Sequence, residues 1–451
     1  LVDKSLVTKE DVQGTACYRL HETMREYAGL KLREAGESEA IELRFVGYYV
    51  SRCQGSAFQA RYGLVEWLEW MDLEIDNVRS VLRRCVTHAD YPSGISLAAS
   101  VSWYWITRAT TEGVRWLDEL LTHGNSNPES DAWAYFIRGF LAVLQSDPAA
   151  ARPALVRAVA MARDAGLLVP LSHSLSMSSI SENLAGDHAS ARRMLDEAGV
   201  LTADLDDLSA KISVLQAIAL NGLFEGDLEA VRSASSEGAR LSRESGDLYS
   251  LEMMLLNLGL TALIASDLAE SKPLFIEALR IAHQIDDRLA QYALLDALGY
   301  HAASVGQARL GAQLLGAAET VRARAGASVI PFLAPLLAQA EESATASLGA
   351  SRFAAEFETG KHMSRVAAIG LALGEPVRVA AATSDEGRTG PLGKRESEVA
   401  RLVADGLSNK QIGARLFISE RTVDSHVRST LNKLGFNSRA QIAGWVRSST
   451  H

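Results

Sequence analysis

Four aspartates spaced forty residues apart, Asp147, Asp187, Asp227 and Asp267, constrain the fold of this chain more than any other feature, with Gln307 holding the place in a fifth copy. Eight residues before each stands a small residue: Gly139, Ser179, Ala219, Gly259 and Gly299. Eleven residues after each stands another: Ala158, Ala198, Gly238, Ala278 and Ala318. The aspartate marks a turn between two helices, and each unit closes near Gly166, Asp206, Gly246, Asp286 or Gly326. Small residues on both helices let the two backbones approach closely, and each pair buries its apolar face by stacking on the next. The expected fold is therefore all-α, a helix–turn–helix solenoid. An aromatic content of 6% agrees with an all-α reading.

The pattern resembles tetratricopeptide repeats, stretched beyond their usual length of about 34 residues. The predicted repeats span 131–327. Residues 51–130 read as a helical adaptor with room for degenerate copies, and helices dominate from about Glu66. Trp67, Trp70, Trp103, Trp105 and Trp116 are expected to form the core of the first helical pairs and not a ligand cage. Residues 328–373 read as capping helices. Residues 374–390 (GEPVRVAAATSDEGRTG) have no apolar period and several breakers, which predicts a linker.

Residues 1–50 predict a small α/β unit: strand-like runs at 1–7 and 16–20 around a polar turn at 9–14, then a helix over 21–35 with Met24, Tyr27, Ala28 and Leu32 on one stripe. The stretch YRLHETMREYA, from Tyr18 to Ala28, resembles the winged-helix end of the NB-ARC/STAND nucleotide-switch module. The resemblance gives His21 the place of a histidine that senses the nucleotide phosphate. No G-x-x-x-x-G-K-[ST] occurs, since Gly360-Lys361 and Gly393-Lys394 lack the other required residues. No cofactor is therefore expected on this chain, and His21 reads as a packed or surface residue unless a nucleotide module accompanies it. The chain opens on Leu-Val-Asp inside a strand-like run, which reads as an interior point of a longer protein.

Cys17, Cys53 and Cys85 stand far apart, without C-x-x-C spacing. That usage predicts a reducing cytosol, no disulfide framework and no zinc site. No run of eighteen apolar residues spans a bilayer, so no membrane partner and a cytoplasmic location are expected. The net charge of -10 is unevenly spread. Residues 391–451 hold ten Lys/Arg and five Asp/Glu, about +5, which leaves about -15 for the first 390. An acidic body does not attract nucleic acid, whereas a basic tail does.

Within that tail the start and stop signals of four short helices are legible. Helix one is predicted over 394–404, burying Val399, Leu402 and Val403 and stopping at Gly406. Ser408-Asn409-Lys410-Gln411 is a capping box for helix two, which ends near Leu416. Ser419 caps helix three, over 420–434, and Gly435 ends it. A second box, Ser438-Arg439-Ala440-Gln441, opens helix four. Helix three buries Val423, Val427, Leu431 and Leu434 and presents Arg421, Asp424, Ser425, Arg428 and Asn432 on its other face. Two helices joined by a short turn, the second with a polar outer face, fit a helix-turn-helix reader of the major groove or a four-helix packing module with a solvated face.

The tail is similar to the LuxR-type helix-turn-helix. KRESEVARLVADGLSNKQIGARLFISERTVDSHVRSTLNKLGFNSR matches the family signature almost throughout, in order and without gaps. The wider layout also resembles the large LuxR-family regulators: nucleotide-switch module, helical repeats, reader at the end. The resemblance implies a transcription regulator without enzymatic activity, bound to double-stranded DNA as a homodimer, with the repeats sensing a protein or small-molecule effector. It places Asn409 and Lys410 on the DNA backbone at a helix N-terminus, where amides and dipole favour phosphate. Arg421 and Lys433 are expected on phosphates, Thr422 at the interface, and Arg428 on a guanine edge or a phosphate. Asp424 and Ser425 take positions of base contact, although many family members carry lysine where Asp424 stands. His426 follows the signature but falls beside the buried stripe, so packing is its expected role. Ile442, Trp445 and Val446 resemble a dimerisation surface. Two other readings remain: a repeat scaffold using the tail for protein contacts, and the remnant of a STAND signalling ATPase.

Overall fold

The computed structural model describes residues 6–12, 15–20, 22–123, 126–325, 329, 333–375, 394–416, and, further on, 423, 426, 427, 430, 439, 442, 445 and 446. The chain divides into two compact units, Leu1–Glu375 and Pro376–His451.

The first unit opens with a hairpin in which β1 (Val7–Val12) pairs antiparallel with β2 (Thr15–Leu20), Val7 opposite Leu20 and Val12 opposite Thr15. The expected turn at 9–14 is thus mostly strand. Its polar residues read as a turn, but a ladder that satisfies the backbone tolerates them on an exposed ribbon such as this one, where Lys9 faces solvent. After α1 (Glu22–Glu34) comes α2 (Ser38–Tyr62), a 25-residue helix, so helices take over well before Glu66. Its stripe was blurred because Ile41, Leu43 and Tyr48 stay exposed while Val46, Tyr49, Cys53 and Ala60 are buried. Burial pushes the Cys53 thiol up to about 12, which removes it from thiolate chemistry. Against α2 pack α3 (Leu64–Thr87) and α4 (Tyr91–Ser100), and α5 (Ser102–Thr107) and α6 (Thr110–His123) lead into the repeats. Trp67 and Trp105 are core residues as expected, and Trp70 and Trp116 lean on that core. Trp103 leans on the same core and, half-buried, also forms part of a cavity wall.

The repeats are five hairpins: α7 (Pro128–Leu144) with α8 (Pro148–Asp164), α9 (Leu168–Leu184) with α10 (His188–Ala203), α11 (Leu208–Glu225) with α12 (Leu228–Ser245), α13 (Leu248–Ile264) with α14 (Leu268–Gln284), and α15 (Arg288–Ser304) with α16 (Ala308–Ala325). The first helix of each pair touches the first helix of the next, and the second helix packs on its own partner and on the first helix that follows. That is a helical solenoid. Asp147, Asp187, Asp227 and Asp267 each accept the amide three residues on, at 2.9–3.0 Å, capping the second helices. The sequence hides a second series. Asp207, Asp247 and Asp287 cap first helices in the same way, so the true spacing of caps is twenty. Just before most caps the backbone turns left-handed, at Ser146, Gly166, Gly186, Gly226, Gly246, Ser266, Asp286 and Gly306. Three of these are not glycine and carry the strain of that conformation.

The small-residue columns lie where the helices touch. A β-carbon at Gly139 would enter the Leu155 side chain, and one at Gly259 the Phe275 ring. The first helices are enclosed almost all round. On α9 nearly every residue from Pro170 to Asn183 is buried, including six serines. Ser174 and Ser178 donate to the carbonyls four residues back, at 2.7 Å, which lets a polar helix sit in a core. Glu252 on α13 is 1% exposed and neither carboxyl oxygen receives a hydrogen bond. Burial and the neighbouring Asp287 and Asp247 hold its carboxyl well above the usual range, so it keeps a proton it can donate to Asp287. The stack ends with α17 (Ala334–Leu348), α18 (Ala350–Lys361) and α19 (Arg365–Leu373), which cover α15 and α16.

The solenoid also touches itself across a long interval of sequence. Arg61 of α2 donates to Asp247 at 2.7 Å and to Ser250 at 3.2 Å, at the start of α13. Arg288 donates to the Arg108 carbonyl at 3.2 Å. No helix among the described residues is long and apolar enough to cross a membrane.

Candidate nucleic-acid interface

The second unit begins with α20 (Lys394–Ala404), with the bounds expected for helix one. Its apolar stripe turns Val399, Ala400 and Val403 into a small core, with Leu402 half-buried beside them. Gly406 ends it at φ +83°, where an L side chain would be strained. The Gly406 amide reaches the Val403 carbonyl at 3.0 Å and the Leu407 amide reaches Leu402 at 3.1 Å, so the last carbonyls are paired.

Two residues later α21 (Asn409–Leu416) starts on a reciprocal cap. The Gln411 amide donates to Ser408 Oγ at 3.3 Å, and the Ser408 amide donates to Gln411 Oε1 at 2.8 Å. The capping box read from the sequence is therefore formed on both sides. Ile412 anchors the helix in the core, which Val423, Val427 and Ile442 complete.

Of the residues expected to meet DNA, Asn409 is half-buried at the head of α21. Its Oδ1 accepts from Arg439 Nη1 at 2.6 Å, and Arg439 Nη2 also donates to the Leu407 carbonyl. Lys410 sits in the first turn of α21, but its side chain lies outside the described residues, as do Arg421, Thr422, Asp424, Ser425, Arg428 and Lys433. His21, Leu431 and Leu434 lie outside them too. His426 is half-buried. Ile442 is fully buried in this unit's own core, so it is not part of an exposed dimer surface, whereas Trp445 and Val446 only lean on that core. Sequence reasoning gave Arg439 no role beyond its capping box. The geometry makes it the residue that ties position 439 to the turn before α21, a cross-link thirty residues long that no local pattern reveals.

With this geometry in place, residues 390–446 match the family described as bacterial regulatory proteins, luxR family. The second unit thus carries a LuxR-type helix-turn-helix domain. A Mycobacterium bovis protein named among the HTH-type transcriptional regulators is 34% identical over 122 residues, 27% of this chain and 14% of the relative. The transcriptional regulatory protein DegU of Brevibacillus brevis is 45% identical over 62 residues, 12% of this chain and 26% of the relative. The nitrate/nitrite response regulator protein NarL of Escherichia coli is 46% identical over 55 residues, again 12% and 26%. The chain thus spans 14% of the length of the mycobacterial relative it matches.

Proposed function

We propose that this chain acts as a DNA-binding transcription regulator, in which the helix-turn-helix unit reads promoter DNA and the solenoid senses an effector. The observation that carries the reading is the capped start of α21 within a LuxR-type domain. The first-turn amides of α21 form an electropositive end at which a phosphate binds. In this reading Asn409, Lys410, Arg421, Thr422 and Lys433 grip the backbone, and Arg428, Asp424 and Ser425 face base edges. An arginine bidentate to guanine contributes about 1–3 kcal/mol of discrimination. Aspartate at 424 repels phosphate and accepts from cytosine, so the target differs from that of a reader with lysine there. A homodimer would set two such units on paired half-sites. Residues 1–50 read as the end of a nucleotide-switch module, 51–130 as its helical adaptor, 131–327 as the repeats with 328–373 as their cap, and 374–390 as the tether of the reader at 391–451. The regulator names of the mycobacterial, DegU and NarL relatives support the functional class.

Selection of genomic fragments on the full chain, followed by binding titrations across salt, tests the reading. Affinity should fall steeply with salt because phosphate contacts release counterions. Lys410→Ala combined with Arg428→Ala should weaken binding about 100-fold, from roughly 1–3 kcal/mol per contact, with unchanged circular dichroism. Salt-independent binding, or full affinity in that double variant, would remove the DNA reading.

A further inference from the structure

The first unit holds a cavity of about 680 Å³, within the size range of small-molecule sites. It is walled by α2, α4 and α5 and by the first helices of the first four repeats, so residues far apart in sequence face each other across it. Its rings are grouped: Trp103 lies 5.1 Å from Tyr249, Phe140 lies 6.3 Å from Tyr249, and Trp133 lies 5.5 Å from Phe136, centroid to centroid. We propose that this cavity binds an uncharged aromatic small molecule of two to three fused rings, held between the Trp103–Tyr249 and Trp133–Phe136 groups.

The buried charges of the wall favour that class, since Glu129, the other carboxylate of the lining, is exposed to solvent and screened by it. Arg61 is already spent on Asp247 and Ser250, and its guanidinium stacks on the Trp103 ring at 5.7 Å. An anionic guest therefore gains no uncommitted arginine. Asp207 already accepts from the Ala210 amide at 2.9 Å and from Ser209 at 2.6 Å, so a cationic guest would have to compete for it. His173 bonds Ser209 at 3.1 Å, and burial, with Arg61 nearby, brings its pKa down to about 3, so it faces the cavity uncharged.

Sugars need many uncommitted planar polar groups, and here several are taken. Gln54 donates to Ser96, and Ser250 donates to Asp247 at 2.8 Å. Besides the aromatic faces, two polar atoms of the lining residues, Ser176 Oγ and Gln216 Nε2, are buried without a hydrogen-bond partner. A carbonyl or hydroxyl on the edge of a flat guest would answer them. The inference deepens the sensing role proposed above and rests on that reading for its purpose, while the binding itself is separately measurable.

The full chain would be titrated with N-phenyl-1-naphthylamine, an uncharged aromatic probe, reading emission sensitised by tryptophan. The proposal expects one saturable site per chain. It expects at least tenfold weaker binding in Ala57→Phe and in Ala99→Phe, whose small side chains line the cavity, and no change in Val156→Phe on an exposed face. Trp103→Phe and Trp133→Phe, which keep the packing, should lower the sensitised emission even if the filling variants fail to fold. Undiminished binding in folded filling variants, sensitised emission indifferent to Trp103 and Trp133, or preference for naphthalene-2-carboxylate or maltose over the probe would overturn it. DNA titrations on the same samples separate the two readings. Probe binding without DNA binding removes the regulator but leaves the site, and DNA binding without a saturable probe site does the reverse.

Discussion

The solenoid and the helix-turn-helix unit share one local device, a helix whose first free amides are met by a side chain, but they close it with different chemistry. In seven helices of the repeats the cap is aspartate, at Asp147, Asp187, Asp207, Asp227, Asp247, Asp267 and Asp287. A carboxylate satisfies the amide and also neutralises the positive end of the helix. In the second unit the described cap is Ser408, with Gln411 answering. Hydroxyl and carboxamide satisfy amides while leaving the positive end of α21 in force. The same geometry thus carries a charged cap on those repeat helices and an uncharged cap on α21.

The largest expected effect separates ordinary solenoid caps from one that does more. Asp247→Ala removes a cap and also strands the Arg61 guanidinium, and should cost about 3 kcal/mol in denaturant unfolding. A loss no greater than that of an ordinary cap would mean that Arg61 finds other partners. Next comes the exchange of chemistries. Ser408→Asp imports the solenoid's cap into the second unit; it should keep or raise helix stability yet weaken DNA binding roughly tenfold, since it sets a carboxylate where a phosphate would lie. If affinity held, the neutral cap would have no part in binding.

The third prediction concerns pH. The Glu252 carboxyl is raised in the folded chain, so its favourable contribution is fully present below its unfolded pKa and is lost as pH rises through the folded value. Melting temperature should therefore fall as pH rises above the ordinary carboxyl range, and Glu252→Gln should flatten that fall by roughly 2 °C or more. An identical slope in the variant would show that Glu252 holds no proton in the fold. The smallest effect is the plain cap: Asp267→Ala should cost about 1 kcal/mol and leave DNA affinity unchanged.

The solenoid was legible wherever one residue recurs at one interval. Asp147 through Asp267 and the glycines at 139 and 259 announce where two helices turn and touch. The caps at Asp207, Asp247 and Asp287 escaped because the earlier copies break the series, with Asn127 and Leu167 at those places. The helix α2 escaped because much of its N-terminal half faces solvent. In the second unit Gly406 and the Ser408 box were legible because capping is a four-residue matter. Arg439 was not, because its partners lie thirty residues back. The cavity could not be read at all. Trp103, His173 and Tyr249 line one cavity from α5, α9 and α13, and no local periodicity encodes that meeting of distant helices.

The Arg61–Asp247 contact, 186 residues apart in sequence, bears on how the chain folds. Repeats that touch only their neighbours can form in any order and fray from either end. A contact that fastens a helix before the repeats to the fourth repeat forms only after the intervening pairs are in place. It raises contact order, which slows folding.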